Sequence, residues 1–313
     1  AFISTGRVQG PAIRLIVERE EERLKFVKSK YFEIKALCKS DDYEFTANLK
    51  RVNGKRLASS SDFNENGNKT SKDKKYLDEN EANEIVSILK NQTASISSIK
   101  ESSRSGKPPK PFKTTSLQSS ARSNLGFQPR KTMSVAQRLY QEGLITYMRT
   151  DGTQISNEAI SAFREYITKN FGNNYCPDKP NNYSGKKAKN AQEAHEAIRP
   201  TDVTKSPIKV KKFLSSDQFK LYELIWNRAL SSQMQNAEFD RNTITISSTD
   251  DKIKFRATGS VIKFDGFLKL YDYSENTFER ENILPSVNKG EVKINKIIDE
   301  QHFTEPPPRY SEA

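Results

Sequence analysis

Tyr31-Phe32-Glu33-Ile34-Lys35-Ala36-Leu37 is followed a few residues later by Tyr43-Glu44-Phe45-Thr46-Ala47-Asn48-Leu49. In both stretches apolar and polar side chains alternate, which is the period of a half-buried strand. Asn53-Gly54 behind the second is a favoured tight-turn pair. The same period returns over 93–100, 243–247, 253–257 and 292–297, with Gly259 and Gly266 as punctuation, whereas the residues between the two groups are spaced for helices. The fold class that follows is α+β and multidomain. A sheet domain is entered near residue 28, interrupted by a helical insertion over 108–236, and completed before 305.

Working outward, residues 11–27 set Ile13, Ile16, Val17, Leu24 and Val27 among charged neighbours, with Pro11 in the first turn, and predict an amphipathic helix. A polar run over 59–75, rich in Ser, Asn, Lys and Asp, predicts a mobile surface loop, and 80–90 a short helix. Ser105-Gly106-Lys107-Pro108-Pro109-Lys110-Pro111 resists both helix and central strand and marks a connection between domains. Helices are expected over 116–125 and 134–143, separated by Gly126-Phe127-Gln128-Pro129-Arg130 and followed by apolar Leu144-Ile145, the outline of a helix-turn-helix with a wing. Further helices are expected over 156–170, capped by Ser156, and over 216–234. The second of these would bury Phe219, Leu221, Leu224, Ile225, Leu230 and Trp226.

The chain has 313 residues, with 52 Lys and Arg against 40 Asp and Glu, a formal net charge of +12. Its isoelectric point is near 9.4 and its mean hydropathy −0.81. Such a balance favours a polyanionic partner. Nine Lys or Arg and two acids fall between residues 101 and 150, so +7 of the +12 lies in that segment. No apolar run approaches the length of roughly 18 residues that would span a bilayer. The first residues also lack the basic-then-apolar order of a signal peptide. The expectation is a soluble, cytoplasmic protein with no membrane partner. Two cysteines and two histidines without metal-ligand spacing argue against a disulfide scaffold, zinc or another bound transition metal. Gly-rich phosphate loops, GxSxG, HExxH and Asp-x-Asp clusters are all absent, which disfavours common ATPases and hydrolases. The way the chain opens and stops suggests a piece of something longer.

Three clusters could carry chemistry. In Gly143-Leu144-Ile145-Thr146-Tyr147-Met148-Arg149-Thr150-Asp151, extended backbone would turn Tyr147 and Arg149 to one side. A tyrosine oxygen can attack a phosphodiester and store its energy as phosphotyrosine. Because a tyrosine hydroxyl ordinarily titrates near about 10, cations must steady the anion, and a guanidinium that forks onto two phosphate oxygens is suited to that. On spacing alone, a packed tyrosine beside a solvated arginine is the commoner arrangement. Gln192-Glu193-Ala194-His195-Glu196-Ala197-Ile198-Arg199-Pro200 could put His195 and Arg199 on one helical face toward a phosphate, or be a solvated helix. Ser4-Thr5-Gly6-Arg7-Val8-Gln9 alternates Arg and Gln in an extended approach to a helix start, a weak anion-binding pattern by itself.

Together, in this order and spacing, with Ala136-Gln137-Arg138-Leu139-Tyr140, Asn124-Leu125-Gly126-Phe127, Phe264-Asp265-Gly266 and Gln301-His302-Phe303-Thr304-Glu305-Pro306-Pro307, the clusters resemble the type IA DNA topoisomerases, in the form seen in bacterial topoisomerase I. The resemblance covers essentially the whole chain. It implies a toroid fragment in which residues 1–28 begin the DNA-binding base domain, 29–107 with 237–305 form a β-rich arch, 108–236 form a helix-turn-helix-like domain with the nucleophile, and 306–313 return toward the base. It implies that Tyr147 becomes linked to a 5′ phosphate, Arg149 steadies that phosphate, His195 contacts a neighbouring one, and Ser4, Arg7, Gln9 and Gln137 line the single-strand path. The implied partners are single-stranded DNA and negatively supercoiled duplex, acted on by a monomer. The implied magnesium site lies in an acidic domain before Ala1, so this fragment is expected to bind DNA without relaxing it. Gly152 stands where the family usually has Ser, and Gln141, beside Glu142, where it has an acid. The alternative is a non-catalytic single-strand-binding module in which Tyr147 stacks on a base.

Overall fold

A computed structural model describes residues 6–40, 43–90, 94–183, 196–271 and 287–311. The chain forms two compact units. The first comprises Ala1–Ser102, Asp240–Val261 and Glu279–Ser311; the second comprises Ser103–Phe239 and Ile262–Phe278 with the terminal Glu312–Ala313.

Helix α1 (Gln9–Lys25) opens the first unit, followed by strands β1 (Lys30–Ser40), β2 (Tyr43–Val52), β3 (Lys55–Leu57) and β4 (Lys74–Lys75), helix α2 (Glu79–Lys90) and strand β5 (Ala94–Gly106). Strands β6 (Ala237–Ser248), β7 (Ile253–Phe264) and β8 (Gly290–Phe303) return much later in sequence. The sheet order is β1-β8-β5-β6-β7-β2-β3-β4, and β1 also pairs with β2. Six strands therefore close on themselves, which leaves their ladder without the unpaired edges that promote aggregation. The alternation in β1 puts Phe32, Ile34, Ala36 and Cys38 into one core with Phe45, Ala47 and Leu49 of β2 and Phe255 of β7. Asn53 and Gly54 take φ of 50° and 76°. These are the two left-handed residues that a tight hairpin between β2 and β3 requires.

The polar run after β3 is more ordered than its composition predicts. Asp62 is buried there, and its carboxylate accepts from Ser59 N–H at 2.8 Å and from the Lys74 ammonium. Burial alone would raise this carboxyl, but Lys74 and Ser59 outweigh burial and hold it below the usual carboxylate range. This buried acid adds to the ring contacts of Phe63 with Tyr31 and Tyr76, at 6.3 and 5.3 Å between centroids. Helix α1 buries none of its residues: Ile13, Ile16, Val17 and Leu24 are exposed. It is held through its polar side instead, where Arg19 donates to Pro308 O at 2.7 Å and Arg309 pairs with Glu20.

The second unit contains helices α3 (Thr114–Leu125), α4 (Pro129–Gln141), α5 (Asn157–Phe171), α6 (Pro207–Val210) and α7 (Ser216–Ser231). Helix α4 starts earlier than its apolar period suggests because Pro129, with fixed φ and no N–H to lose, suits a first-turn position. Ser156 caps α5 by accepting from Ala159 N–H at 3.3 Å, which satisfies one of the amides a helix start leaves free. Leu117, Leu139, Leu221, Ile225 and Trp226 share one core, and the Trp226 indole satisfies its N–H on Val203 O at 3.1 Å, as a buried indole must.

The Phe264-Asp265-Gly266 motif is tied down by several independent contacts. The Tyr175 ring lies 4.9 Å from that of Phe264, and its hydroxyl donates to Asp265 at 2.7 Å. That bond, with burial, pushes the Tyr175 hydroxyl up to about 12, since both favour its neutral form. Gly266 has φ of 49° and lies so close to the Asn236 carbonyl that a Cβ would overlap it. Gly266→Ala is therefore expected to lower stability by more than the roughly 1–2 kcal/mol charged to an ordinary left-handed non-glycine residue. Denaturant unfolding measures this, and a loss below that range would show that the backbone yields.

Candidate nucleic-acid cleavage site

Helix α4 ends at Gln141, and Gly143, with φ of 69°, turns the chain out of it. A glycine adopts that left-handed turn without steric cost. Gly143 N–H donates to Tyr140 O and Leu144 N–H to Leu139 O, each at 2.9 Å, so the next residues leave in a defined direction. Exposure then alternates: Tyr147 and Arg149 are exposed, whereas Met148 and Thr150 are buried, Met148 being only 1% exposed. The Tyr147 side chain is 50% exposed, and its ring meets that of Tyr140 edge-on at 5.3 Å. Gln137 lies one turn earlier on α4 and is half-buried.

No regular strand holds this segment, so each of its backbone groups needs a separate partner. Residues 144–146 lie against 197–201. Thr201 N–H donates to Leu144 O at 3.1 Å, Thr146 N–H to Arg199 O at 2.9 Å, and Arg199 N–H to Thr146 Oγ1 at 3.0 Å. The Thr146 hydroxyl in turn donates to Ala197 O at 2.7 Å. A third stretch closes the set, because Ile198 N–H donates to Phe112 O at 2.8 Å and Thr114 bonds to residues 148 and 150. Segments 112–114, 144–150 and 196–201 are thus laced together.

Residues 196–200 are extended, with bridges from Glu196 to Gln154, from Ile198 to Phe112 and from Pro200 to Ile145, rather than the helix considered from sequence. This changes what Arg199 does. Its guanidinium donates to Glu196 Oε1 at 2.7 Å and Oε2 at 3.0 Å and to Pro200 O at 2.9 Å. A fork already filled by a carboxylate is committed to the scaffold instead of a phosphate. Glu196 also accepts from Ser156 N–H at 2.9 Å, joining this segment to the start of α5. Burial raises the Glu196 carboxyl, but Arg199 and Ser156 prevail and hold it below its ordinary 4.5, because both favour the charged form.

His195 and Ser4 lie outside the described residues. Arg7 is exposed in a turn, and Gln9 is the first residue of α1 with its Oε1 accepting from Gly6 N–H at 3.1 Å, so this approach is a turn and a helix start rather than extended chain. Both belong to the first unit, whereas Gln137, Tyr147 and Arg149 belong to the second. Gln141 is exposed, and the neighbouring Glu142 accepts from Gln218 Nε2 at 2.7 Å, which ties α4 to α7. At Gly152 the backbone N–H donates to Thr150 Oγ1 at 3.0 Å. Sequence reading missed Thr114, Thr146 and the Glu196–Arg199 pair. The closeness of Thr146 to Tyr147 was one hint, and Glu196 and Arg199 stood in a quoted cluster without their pairing being read.

The sequence pattern of the family described as DNA topoisomerase matches residues 1–313. The chain belongs to the DNA topoisomerase family. Among its relatives, DNA topoisomerase 1 of Rickettsia felis is 44% identical over 322 residues, covering 99% of this chain and 40% of that protein. DNA topoisomerase 1 of Streptomyces coelicolor is 41% identical over 328 residues, covering 99% and 34%. In the structure of full-length topoisomerase I from Thermotoga maritima, a similar fold is found with a TM-score of 0.75 and 35% identity, over 99% of this chain and 47% of that one. The motif-based resemblance to bacterial topoisomerase I thus holds across the chain, which spans less than half the length of each of these relatives.

Because the Glu196 carboxyl is depressed in the fold, its contribution is present above the ordinary value of 4.5 and is lost as pH falls through the lower folded value. Melting temperatures of the wild type and Glu196→Gln should differ near neutral pH and converge on acidification. A difference that persists in acid would mean that the Arg199 pairing is not what supports the segment.

Proposed function

We propose that this chain is the strand-cleaving part of a type IA topoisomerase that cuts one DNA strand, passes another through and reseals. The observation that carries the reading is the pair of exposed side chains, Tyr147 and Arg149, on a backbone segment pinned by buried Met148 and Thr150. Family membership across the whole chain supports it.

In this reading the Tyr147 hydroxyl oxygen attacks a backbone phosphorus. An Oη–P bond forms as the P–O3′ bond breaks, the tyrosine proton leaves, and the departing 3′ oxygen takes one up. The cut strand keeps its energy as a 5′-phosphotyrosine, so resealing by the 3′ hydroxyl needs no other energy source. Arg149 would fork onto the non-bridging oxygens and steady the charge that grows in the transition state. His195, Gln137, Ser4, Arg7 and Gln9 are proposed to contact the strand on either side. The substrates would be single-stranded DNA and negatively supercoiled duplex, acted on by a monomer in the cytoplasm. No helix among the described residues is long and apolar enough to cross a membrane.

Among the described residues no group of three or more His, Cys, Asp and Glu could hold a metal ion. From the family resemblance alone, magnesium is proposed to bind in an acidic domain outside this chain, and no step here runs through it. Relaxation is proposed to need that domain. The arrangement of the two units as an arch with an inserted helical domain is likewise an inference from the family.

Two measurements test the reading. Joined to the acidic domain of a related topoisomerase I and given a labelled oligonucleotide, the chain should form a covalent adduct on a denaturing gel, and Tyr147→Phe should abolish it. Phenylalanine keeps the ring, so single-strand binding should survive. Adducts that persist in Tyr147→Phe would instead leave Tyr147 as a stacking platform beside Tyr140. Affinity for single-stranded DNA should fall steeply with salt, and Arg149→Ala should lower the salt slope by about one unit, which titrations at several salt concentrations measure.

A further inference from the structure

The Thr114 hydroxyl bonds on both sides of Arg149. It donates to Met148 O at 2.7 Å and accepts from Thr150 N–H at 2.8 Å. Met148 O belongs to the peptide group before Arg149, and Thr150 N–H to the one after. One side chain therefore grips both planes whose rotation sets the φ and ψ of Arg149, and with them the direction in which its Cα–Cβ bond leaves the backbone. Thr114 N–H adds a third bond, to Thr150 O at 3.0 Å. Thr114 is the first residue of α3. An N–H there has no partner within the helix, so the helix start and the Arg149 segment complete each other.

Thr146 makes the same three bonds to another stretch, with its hydroxyl between Ala197 O and Arg199 N–H and its N–H on Arg199 O. The two threonines hold the segment from both sides of Tyr147. One of them acts from within the segment and the other from the start of α3. Threonine suits the task because its hydroxyl donates and accepts at once, while its branched Cβ restricts χ1.

We propose that Thr114 is a positioning residue for strand cleavage, which fixes the backbone of Arg149, two residues from Tyr147, before DNA arrives. This rests on the reading of Tyr147 and Arg149 as the cleavage pair, and it adds that the backbone geometry of Arg149 is built into the free protein. An arginine whose backbone is already fixed has less freedom to lose when phosphate binds, and misplacing a reacting group by about 1 Å can cost on the order of a hundredfold in rate.

The test compares Thr114→Val, which keeps the shape without the hydroxyl, with Thr114→Ser, which keeps the hydroxyl, in the joined protein used for Tyr147→Phe. Thr114→Val should slow single-turnover adduct formation by about tenfold to a hundredfold while single-strand affinity stays within about twofold. Thr114→Ser should recover most of the rate. A Thr114→Val rate equal to wild type, or a loss that serine does not recover, overturns the proposal. Hydrogen exchange at the Thr150 amide is read separately: protection should be kept in wild type and Thr114→Ser and lost in Thr114→Val. Unchanged protection in Thr114→Val overturns the proposal whatever the adducts do. If wild type forms no adduct while the amide result is as expected, it is the cleavage reading that fails and the clamp that stands. Thr114→Ala replaces Thr114→Val if the latter does not fold.

Discussion

Backbone that is neither helix nor strand must still pair its polar groups once buried, and around Tyr147 this need organises the second unit. Segments 112–114, 144–150 and 196–201 supply one another's partners, with two threonine hydroxyls standing in where no ladder can form. Each such bond adds only about 1 kcal/mol net, yet leaving a buried group unpaired costs more than that. The segment is therefore rigid because its alternatives are expensive, not because any one contact is strong. Met148 inside and Tyr147 and Arg149 outside follow from the same lacing.

The first unit solves a different problem. Its strands come from distant parts of the chain, with β1 pairing to β8 as well as to β2. Closure of six strands leaves none of them at an open edge of the sheet, and side chains of β1, β2, β7 and α2 share one core. Where apolar residues are few, between β3 and β4, a buried Asp62 held by Lys74 and Ser59 supplements the ring contacts of Phe63.

Local signals were legible wherever the cause was local. Alternation located β1 and β2, Asn53-Gly54 their following turn, and Ser156 the start of α5. Strand ends were harder to read, since β5 runs through Gly106 into the stretch that composition marks as a connection. Residues 59–75 read as mobile because a buried carboxylate leaves no hydrophobic period. Residues 196–200 looked helical because the spacing of His195 and Arg199 is blind to the extended partners at 112, 145 and 154.

Period, charge and residue identity along the chain were enough to establish the α+β class, the basic approach to Tyr147 and the motif set of the topoisomerase family. None of these depends on which segments meet in space. That Arg199 serves Glu196, that Glu142 serves Gln218, and that Thr114 grips both sides of Arg149 emerged only from the packed chain. Such a role depends on which donors and acceptors burial leaves within reach of a side chain, and that is settled only when distant segments have packed.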